Sequence, residues 1–409
     1  MTTSSEPITT DHAQRARLGL VLAVFAFLLA PLGLLADKAV VPLVLAAALA
    51  GGLAAGAPAL PWRVIDRRLA VVIGLFLAWC LASAAWSSDP PGAAKLALRV
   101  GVLLYLLVYL VGLARFLEAG QRRRAALCFG LGFAVTLALL LIELSFRTPL
   151  FDLLQGAARS DYAAYSRLNR GVSALAILVW PLSVFLWQEG RRAAAAVLPI
   201  ALLGITFFSQ SSASSVALGA GLLAAALAGL GRGAARLAFA GAVVVAVLAA
   251  PLLIEGAERS GLDFSGVLPD TGLFRLHVWN IINERIAERP LFGWGFDASP
   301  SLPTYDAQPF RTDGSVIPSH PHNGALQIMV ELGILGSLLT VGFLFLLGQR
   351  IDRLPPAARS GAIAMVVTIL GIACTAYSIW QSHWLSMIGA ASAIFVLLQG
   401  ATKSPPRGS

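Results

Sequence analysis

His322 follows Pro321 and precedes Asn323 at the start of a long apolar run, in SHPHNGALQIMVELGILGS (319–337). An unperturbed pKa of about 6.5 lets an imidazole take up and release a proton near neutral pH. At the mouth of an apolar segment it reads either as a base that meets a substrate at the membrane surface or as an interfacial residue beside a helix cap. Spacing alone leaves both open. His320 reads as its loop neighbour. Glu331 lies about 13 Å further along a helix, too far to orient that imidazole directly. An acid inside an apolar run turns to the protein interior, so a structural or cavity role is expected for Glu331 and for Glu143 in LLLIELSF. His383, in WQSHW (380–384), reads as an anchor among interface tryptophans.

Arginines form the second set. Arg167 and Arg170 are three apart in YSRLNRGVSALAILVW (165–180) and share a face if the helix has already begun there. Two guanidiniums at a membrane surface suit a phosphate or pyrophosphate, because each fork donates parallel hydrogen bonds. Snorkelling to lipid headgroups is the equal alternative. Arg275 stands four residues before Trp279 in LFRLHVWNIINERIAER (273–289), a helix that Asp270 or Thr271 would cap and Pro290 would end. Phe274, Val278, Ile281 or Ile282, and Ile286 recur at helical spacing and should pack on protein or dip into the interface. Arg285 and Arg289 beside Glu284 and Glu288 read as ordinary solvated pairing. PLFGWGF (290–296) reads as an aromatic, glycine-rich turn suited to an interface. Arg147, Arg159, Arg259 and Arg311 read as solvated loop residues.

The elements that must carry these groups cross a membrane. The chain has 409 residues, 57% hydrophobic and 12% charged, whereas soluble domains carry about 25% charge. Apolar runs near the ~20 residues needed to cross hydrocarbon fall near 17–36, 39–57, 69–87, 98–117, 125–146, 171–188, 193–209, 213–230, 235–254, 322–348, 360–379 and 384–400. The expectation is therefore an all-α, polytopic membrane protein of about twelve transmembrane helices. Its organisation reads as helices 1–9 over 1–255, a large outer loop with amphipathic helices over 256–321, helices 10–12 over 322–400, and a tail over 401–409. The first run leads through Ala36-Asp37-Lys38-Ala39 directly into the next, so it reads as an anchored helix and not as a cleaved signal. Cys80, Cys128 and Cys374 lie in apolar runs and read as small buried hydrophobes.

Lys and Arg in short loops set orientation. With the N-terminus inside, the inner segments carry Arg15 and Arg17, then Arg63, Arg67 and Arg68, then Arg122, Arg123 and Arg124, and the alternation continues to Arg350, Arg353 and Arg359. The short outer loops hold only Lys38 and Lys95. Both termini are expected to be cytoplasmic, with 147–170 and 256–321 as long outer segments. Most of the +9 net charge is then a topology signal, with anionic lipids as a secondary partner. No basic, aromatic-interleaved motif for nucleic acid occurs.

Arg275-x-x-x-Trp279, then ERPLFGWG (288–295), then His322-Asn-x-x-Leu326-x-x-x-x-Glu331-x-Gly333 resembles the bacterial O-antigen ligase and polymerase superfamily. The resemblance covers roughly 160–345 by motif, and within the superfamily the chain looks like the O-antigen ligases. It implies a glycosyltransferase-C-like membrane fold in the bacterial inner membrane, with a large periplasmic loop and a periplasm-facing site. It implies an undecaprenyl-pyrophosphate-linked O-antigen donor and a lipid A-core acceptor. Family positions map to His322 and Arg275 as catalytic, and to Arg275, Arg170 and Arg167 as pyrophosphate-binding. Where many relatives carry Ser-Arg-Gly after an earlier span, this chain reads SQSSASS (209–215), which leaves that loop without an assigned role. The implied chemistry is inverting transfer. Guanidiniums stabilise the leaving pyrophosphate and a base takes the proton of the acceptor hydroxyl. Neither a metal nor a cofactor is required, since no acidic pair occurs in the first outer loop and arginines supply the positive charge. O-antigen polymerase and protein O-oligosaccharyltransferase share the donor and remain alternatives, as does a membrane transporter outside the enzyme class.

Overall fold

The computed structural model describes residues 12–56, 66–156, 158, 160–209, 211–248, 256, 260, 270–304, 319–399 and 401. Arg159, Arg259, Arg311, the side chains of Asp270 and Thr271, and most of the 401–409 tail lie outside the described residues. Among the described residues every regular element is a helix, as the composition requires. In chain order they are α1 (His12–Leu35), α2 (Val40–Ala55), α3 (Arg67–Ser83), α4 (Pro90–Arg115) and α5 (Ala119–Ser145). The short α6 (Pro149–Gln155) and α7 (Asp161–Ser166) precede α8 (Asn169–Gln188), α9 (Arg192–Phe208), α10 (Ser212–Gly229) and α11 (Arg232–Val243). Then come α12 (Asp270–Glu288), α13 (Gly324–Ile351), α14 (Pro356–Ala373) and α15 (Ser382–Leu398).

Nine helices among the described residues are long and apolar enough to cross a membrane, and α9 and α15 are shorter apolar helices. The expected span at 235–254 begins as α11 and passes into a π turn at Val244–Leu248; its remainder, 249–254, lies outside the described residues. Large apolar side chains lie bare on these helices, among them Leu53 at 85% and Phe208 at 76% exposure. In water such surfaces would aggregate; on a chain of this composition they face lipid. The protein is an all-α, multi-pass membrane protein.

The chain divides into two compact units. The first comprises Met1–Val64, Leu104–Ser212 and Ser386–Ser409. Within it α1 packs on α2, α5 and α8. A Cβ on Gly132 of α5 would strike the backbone carbonyl of Phe27, so a glycine is what lets α1 and α5 touch there, as small residues do between membrane helices. Glu118 and Gln121 form a capping box at the start of α5. Glu143, fully buried, accepts the backbone N–H groups of Leu150 (2.8 Å) and Phe151 (3.4 Å), which satisfies orphan donors of α6. That is the structural role expected of a buried acid.

The second unit comprises Ile65–Leu103 and Ala213–Leu385. Asp66 caps α3 by accepting from the backbone of Arg68 (2.8 Å) and Leu69 (3.3 Å), and it pairs with Arg350. Within this unit α13 packs on α3 and α12. The last expected span but one, 360–379, ends early: α14 stops at Ala373 and residues 374–381 are irregular. Its apolar composition extended the expected helix. The backbone there instead turns its carbonyls and side chains to the groups described next.

A candidate catalytic site on a broken helix

Asn323 sets the start of α13. Its side chain accepts the backbone N–H groups of Ala325 (3.1 Å) and Leu326 (3.2 Å), the usual service of an N-cap asparagine. His322 immediately before it has a left-handed backbone, φ 55°, a conformation sparsely used by residues other than glycine. Two bonds hold it so. The indole of Trp279 on α12 donates to the Pro321 carbonyl (2.8 Å), and His322 Nδ1 lies 2.6 Å from the Ala376 carbonyl. A carbonyl can only accept, so Nδ1 carries the proton and Nε2 presents its lone pair. Among the described residues Nε2 has no hydrogen-bond partner. His320 stacks beside it, ring centroids 4.2 Å apart, and is bonded to Ser319 (3.0 Å) and more loosely to Ala376 (3.4 Å).

Electrostatics keep both rings neutral. Burial lowers the pKa of His322, the hydrogen bond to Ala376 opposes that, and the Arg275 charge lowers it further. Arg275 is therefore within electrostatic range of the imidazole. Burial, with the His322 charge in support, pushes His320 down to about 4 against the pull of its Ala376 hydrogen bond. Arg275 sits one turn before Trp279 on α12, so the tryptophan that pins the 321–322 turn also sets where the arginine emerges. The apolar face of α12 is as expected. Val278, Ile282 and Ile286 form a buried cluster with Leu302, Leu326 and Val330, edged by Phe274, Trp279 and Trp294.

Glu331 and Gly333 explain the rest of the motif. Gly333 has φ 66° and ψ −165°, a break inside α13 that only glycine adopts without strain. The carbonyls freed before it are taken up elsewhere in this unit. Trp294 N–H donates to Val330 O (2.8 Å), Gly295 N–H to Glu331 O (2.9 Å), and the Trp79 indole to Leu332 O (3.0 Å). In return Ile334 N–H donates to Pro290 O (2.9 Å). The PLFGWGF turn thus docks into the break, and a Cβ on Gly333 would strike the Leu291 carbonyl. Unsatisfied backbone at membrane depth is costly, so the turn and the break require one another.

Glu331, fully buried, is the hub beneath. Its Oε1 accepts from Ser299 (2.5 Å) and Gln327 (3.1 Å), its Oε2 from the Asp297 backbone (3.0 Å) and the Trp380 indole (2.6 Å). Gln327 continues to Ser378 (3.0 Å) and to the Ile379 backbone (3.2 Å). The acid therefore fixes the 374–381 segment whose Ala376 carbonyl orients His322. It makes no bond to the imidazole, as the helical distance requires. Asp297, with burial raising its pKa, Arg99 opposing and Asp89 adding to the rise, and Ala376 and Ser378 were not marked by the sequence. Nothing in their spacing distinguishes them from loop and span. Trp380, read from the sequence as an interface tryptophan, is buried against Glu331.

One expectation is overturned. Arg285 is not on a solvated face: it is 5% exposed, paired with Glu284 (2.8 Å) and Glu288 (3.0 Å). Its neighbour Arg289 lies over the Trp294 ring at 3.9 Å. The glutamates are surface residues that reach in to neutralise a charge beneath them. Arg167 and Arg170 belong to the first unit. Helix α8 begins at Asn169, so Arg167 lies in the preceding turn and the two do not share a helical face. Arg167 pairs with Asp152 (3.0 Å) and the Gly156 carbonyl (2.9 Å), Arg170 with Asp37 (3.1 Å). Among the described residues no group of three or more His, Cys, Asp or Glu is disposed to hold a metal ion.

Residues 194–341, which span Arg275, His322 and Gly333, match the model of the O-antigen ligase family. The fold is that of an all-helical membrane protein, and over 194–341 the chain is similar to the O-antigen ligase family, which supports an enzyme of ligase type. The chain is similar to a Rickettsia felis protein named "Putative polysaccharide ligase", 26% identical over 79% of this chain and 78% of that one. Proteins of the same description from Rickettsia typhi and Rickettsia conorii are also 26% identical, over 76% of both chains and over 79% and 77% respectively. No solved structure matches the chain.

Proposed function

We propose that this protein transfers O-antigen polysaccharide from undecaprenyl pyrophosphate to a sugar hydroxyl of lipid A-core. The observation that carries the reading is the presentation of His322: neutral, Nδ1 held by Ala376, Nε2 unbonded among the described residues, and under the influence of Arg275. This is the state a general base needs. The acceptor oxygen attacks C1 of the donor sugar while its proton passes to Nε2. The C1–O bond to pyrophosphate breaks with inversion, and undecaprenyl pyrophosphate leaves with the bonding pair. Arg275 stabilises that developing charge without waiting for solvent to reorganise. The imidazolium then returns its proton to water. No step calls for a metal, because guanidinium supplies the positive charge.

Arg167 and Arg170 are proposed to bind a donor phosphate by exchanging their carboxylate partners for it. The reading places the enzyme in the bacterial inner membrane, both termini cytoplasmic, with His322 facing the periplasm. The test is complementation of a host lacking its own ligase, with wild type and His322→Ala at matched membrane levels. Long-chain lipopolysaccharide is read on a gel and lipid-linked glycan is quantified. Capped core with wild type, and accumulated donor with the variant, supports the proposal. A variant that still caps core overturns the role of His322. A wild type that lengthens lipid-linked chains or glycosylates protein, and never caps core, overturns the acceptor.

A further inference from the structure

The far end of α13, 28 residues from Gly324 and about 40 Å along the helix, borders a second site that the glycan chemistry does not use. Helices α11, α13 and α14 border an open-sided cavity of about 640 Å³, within the roughly 300–1,000 Å³ typical of ligand sites. Its walls are apolar, formed by Phe239, Val243, Val341, Phe345 and Ile363. One end is charged: Arg236, Asp352, Arg353 and Arg359 line it.

The charges there do not balance. Asp352 pairs with Arg236 (2.8 Å) and Arg232 (3.6 Å), and these arginines together hold its carboxyl below the usual range. Arg359 adds its charge to that pull on Asp352, but neither it nor Arg353 makes an ion pair among the described residues, so a single carboxylate faces four arginines. Arg359 is the informative one. It is only 6% exposed, yet its Nε, buried, has no hydrogen-bond partner. Burying an unpaired guanidinium N–H is costly, and such an orphan requires an account. A cavity with one hydrocarbon-like wall and an anion-deficient end is shaped for an amphiphile.

We propose that this cavity binds an anionic phospholipid, its phosphate at Arg359 and Arg353 and one acyl chain along Phe239, Val243, Val341 and Phe345. Basic pockets between membrane helices take such headgroups. The alternation of basic loops puts this end of α13 on the cytoplasmic side, the leaflet face where a negatively charged headgroup would approach Arg353. Phe239 lies against Gly348, where an added Cβ would come within 2.8 Å of the ring, so the aromatic wall depends on a glycine.

The experiment uses the full chain in detergent, delipidated and titrated separately with dioleoyl phosphatidylglycerol, dioleoyl phosphatidylcholine and inorganic phosphate. Binding is read by native mass spectrometry and by thermal shift. Phosphatidylglycerol is expected to bind at least about tenfold more tightly than phosphatidylcholine, about 1.4 kcal/mol, and inorganic phosphate to add no shift. Arg359→Gln should abolish the preference. Should that variant fail to fold, Arg353→Gln at the exposed end is expected to cut the preference severalfold, and Ala240→Trp, on the α11 wall of the cavity, to block both lipids. Equal binding of the two lipids would overturn the proposal, as would a phosphate shift equal to that of the anionic lipid, which identifies a soluble anion. Unchanged preference in Arg353→Gln with unchanged binding in Ala240→Trp would place the lipid elsewhere and also sink it.

Discussion

Replacing Glu331 by glutamine changes one atom in the core and tests the hub directly. The carboxylate meets four donors, two on each oxygen: Ser299 and Gln327 on Oε1, the Asp297 backbone and Trp380 on Oε2. A glutamine has one oxygen and one NH2 group. With the NH2 in place of Oε2, the Asp297 N–H and the Trp380 indole both face a donor; with it in place of Oε1, the Ser299 hydroxyl turns to accept and the Gln327 amide alone faces a donor. Each unmet donor costs about 1–3 kcal/mol, so Glu331→Gln should lose at least about 1–3 kcal/mol, and Glu331→Ala, which deprives all four, should lose more. Ser299→Ala, which removes one donor and keeps the acceptor, should cost only about 1 kcal/mol. Thermal unfolding in detergent ranks the three, and the part of the near-ultraviolet signal lost in Trp380→Phe reports whether the 374–381 segment lets go first. If Glu331→Gln unfolds with wild type, or if Ser299→Ala costs as much as Glu331→Gln, the acid is not the keystone described here.

Three further outcomes are expected. Gly333→Ala forces a side chain into a glycine-only conformation at about 1–3 kcal/mol and expels the PLFGWGF turn. It should lower the unfolding temperature and expose 290–296 to protease; a normal digestion pattern would contradict the docking. Because burial and Arg275 lower the pKa of His322, transfer should rise with pH through a midpoint below 6.5. Arg275→Gln removes a charge that opposes protonation, so among its residual turnovers that midpoint should move up; a midpoint that stays put would deny the coupling. His320 stays neutral in the fold down to about 4 but titrates near 6.5 unfolded. The unfolded chain binds more protons in that window, so stability falls as pH drops from 6.5 to 4, by about 3 kcal/mol. His320→Gln should flatten that slope in pH-dependent unfolding, and an unchanged slope would assign it to another group.

The spans were legible because hydrocarbon imposes a length and a composition that few other settings mimic. The amphipathic face of α12 was legible for a similar reason, its period matching its buried cluster. The break at Gly333 was not. Glycine is common in membrane helices, and the donors that satisfy the freed carbonyls lie some forty residues upstream, at Trp294 and Gly295. The irregular stretch at 374–381 hid inside an apolar run for the same reason: its role is set by His322, Gln327 and Glu331, which hydropathy cannot connect to it. Arg285 was misread because two flanking glutamates look alike whether they solvate an arginine or seal it in. His322 could be picked out by position, whereas its tautomer rests on a carbonyl fifty-four residues away.

The docked turn also imposes an order of events during synthesis. Residues 290–296 leave the ribosome before the helix they complete, so the donors for Val330 and Glu331 are already made when α13 enters the bilayer. The Trp79 indole, made earlier still, is waiting too. A rearranged gene that supplied α13 first would insert a helix with bare carbonyls at its break, and membrane quality control would meet it before its partner arrived.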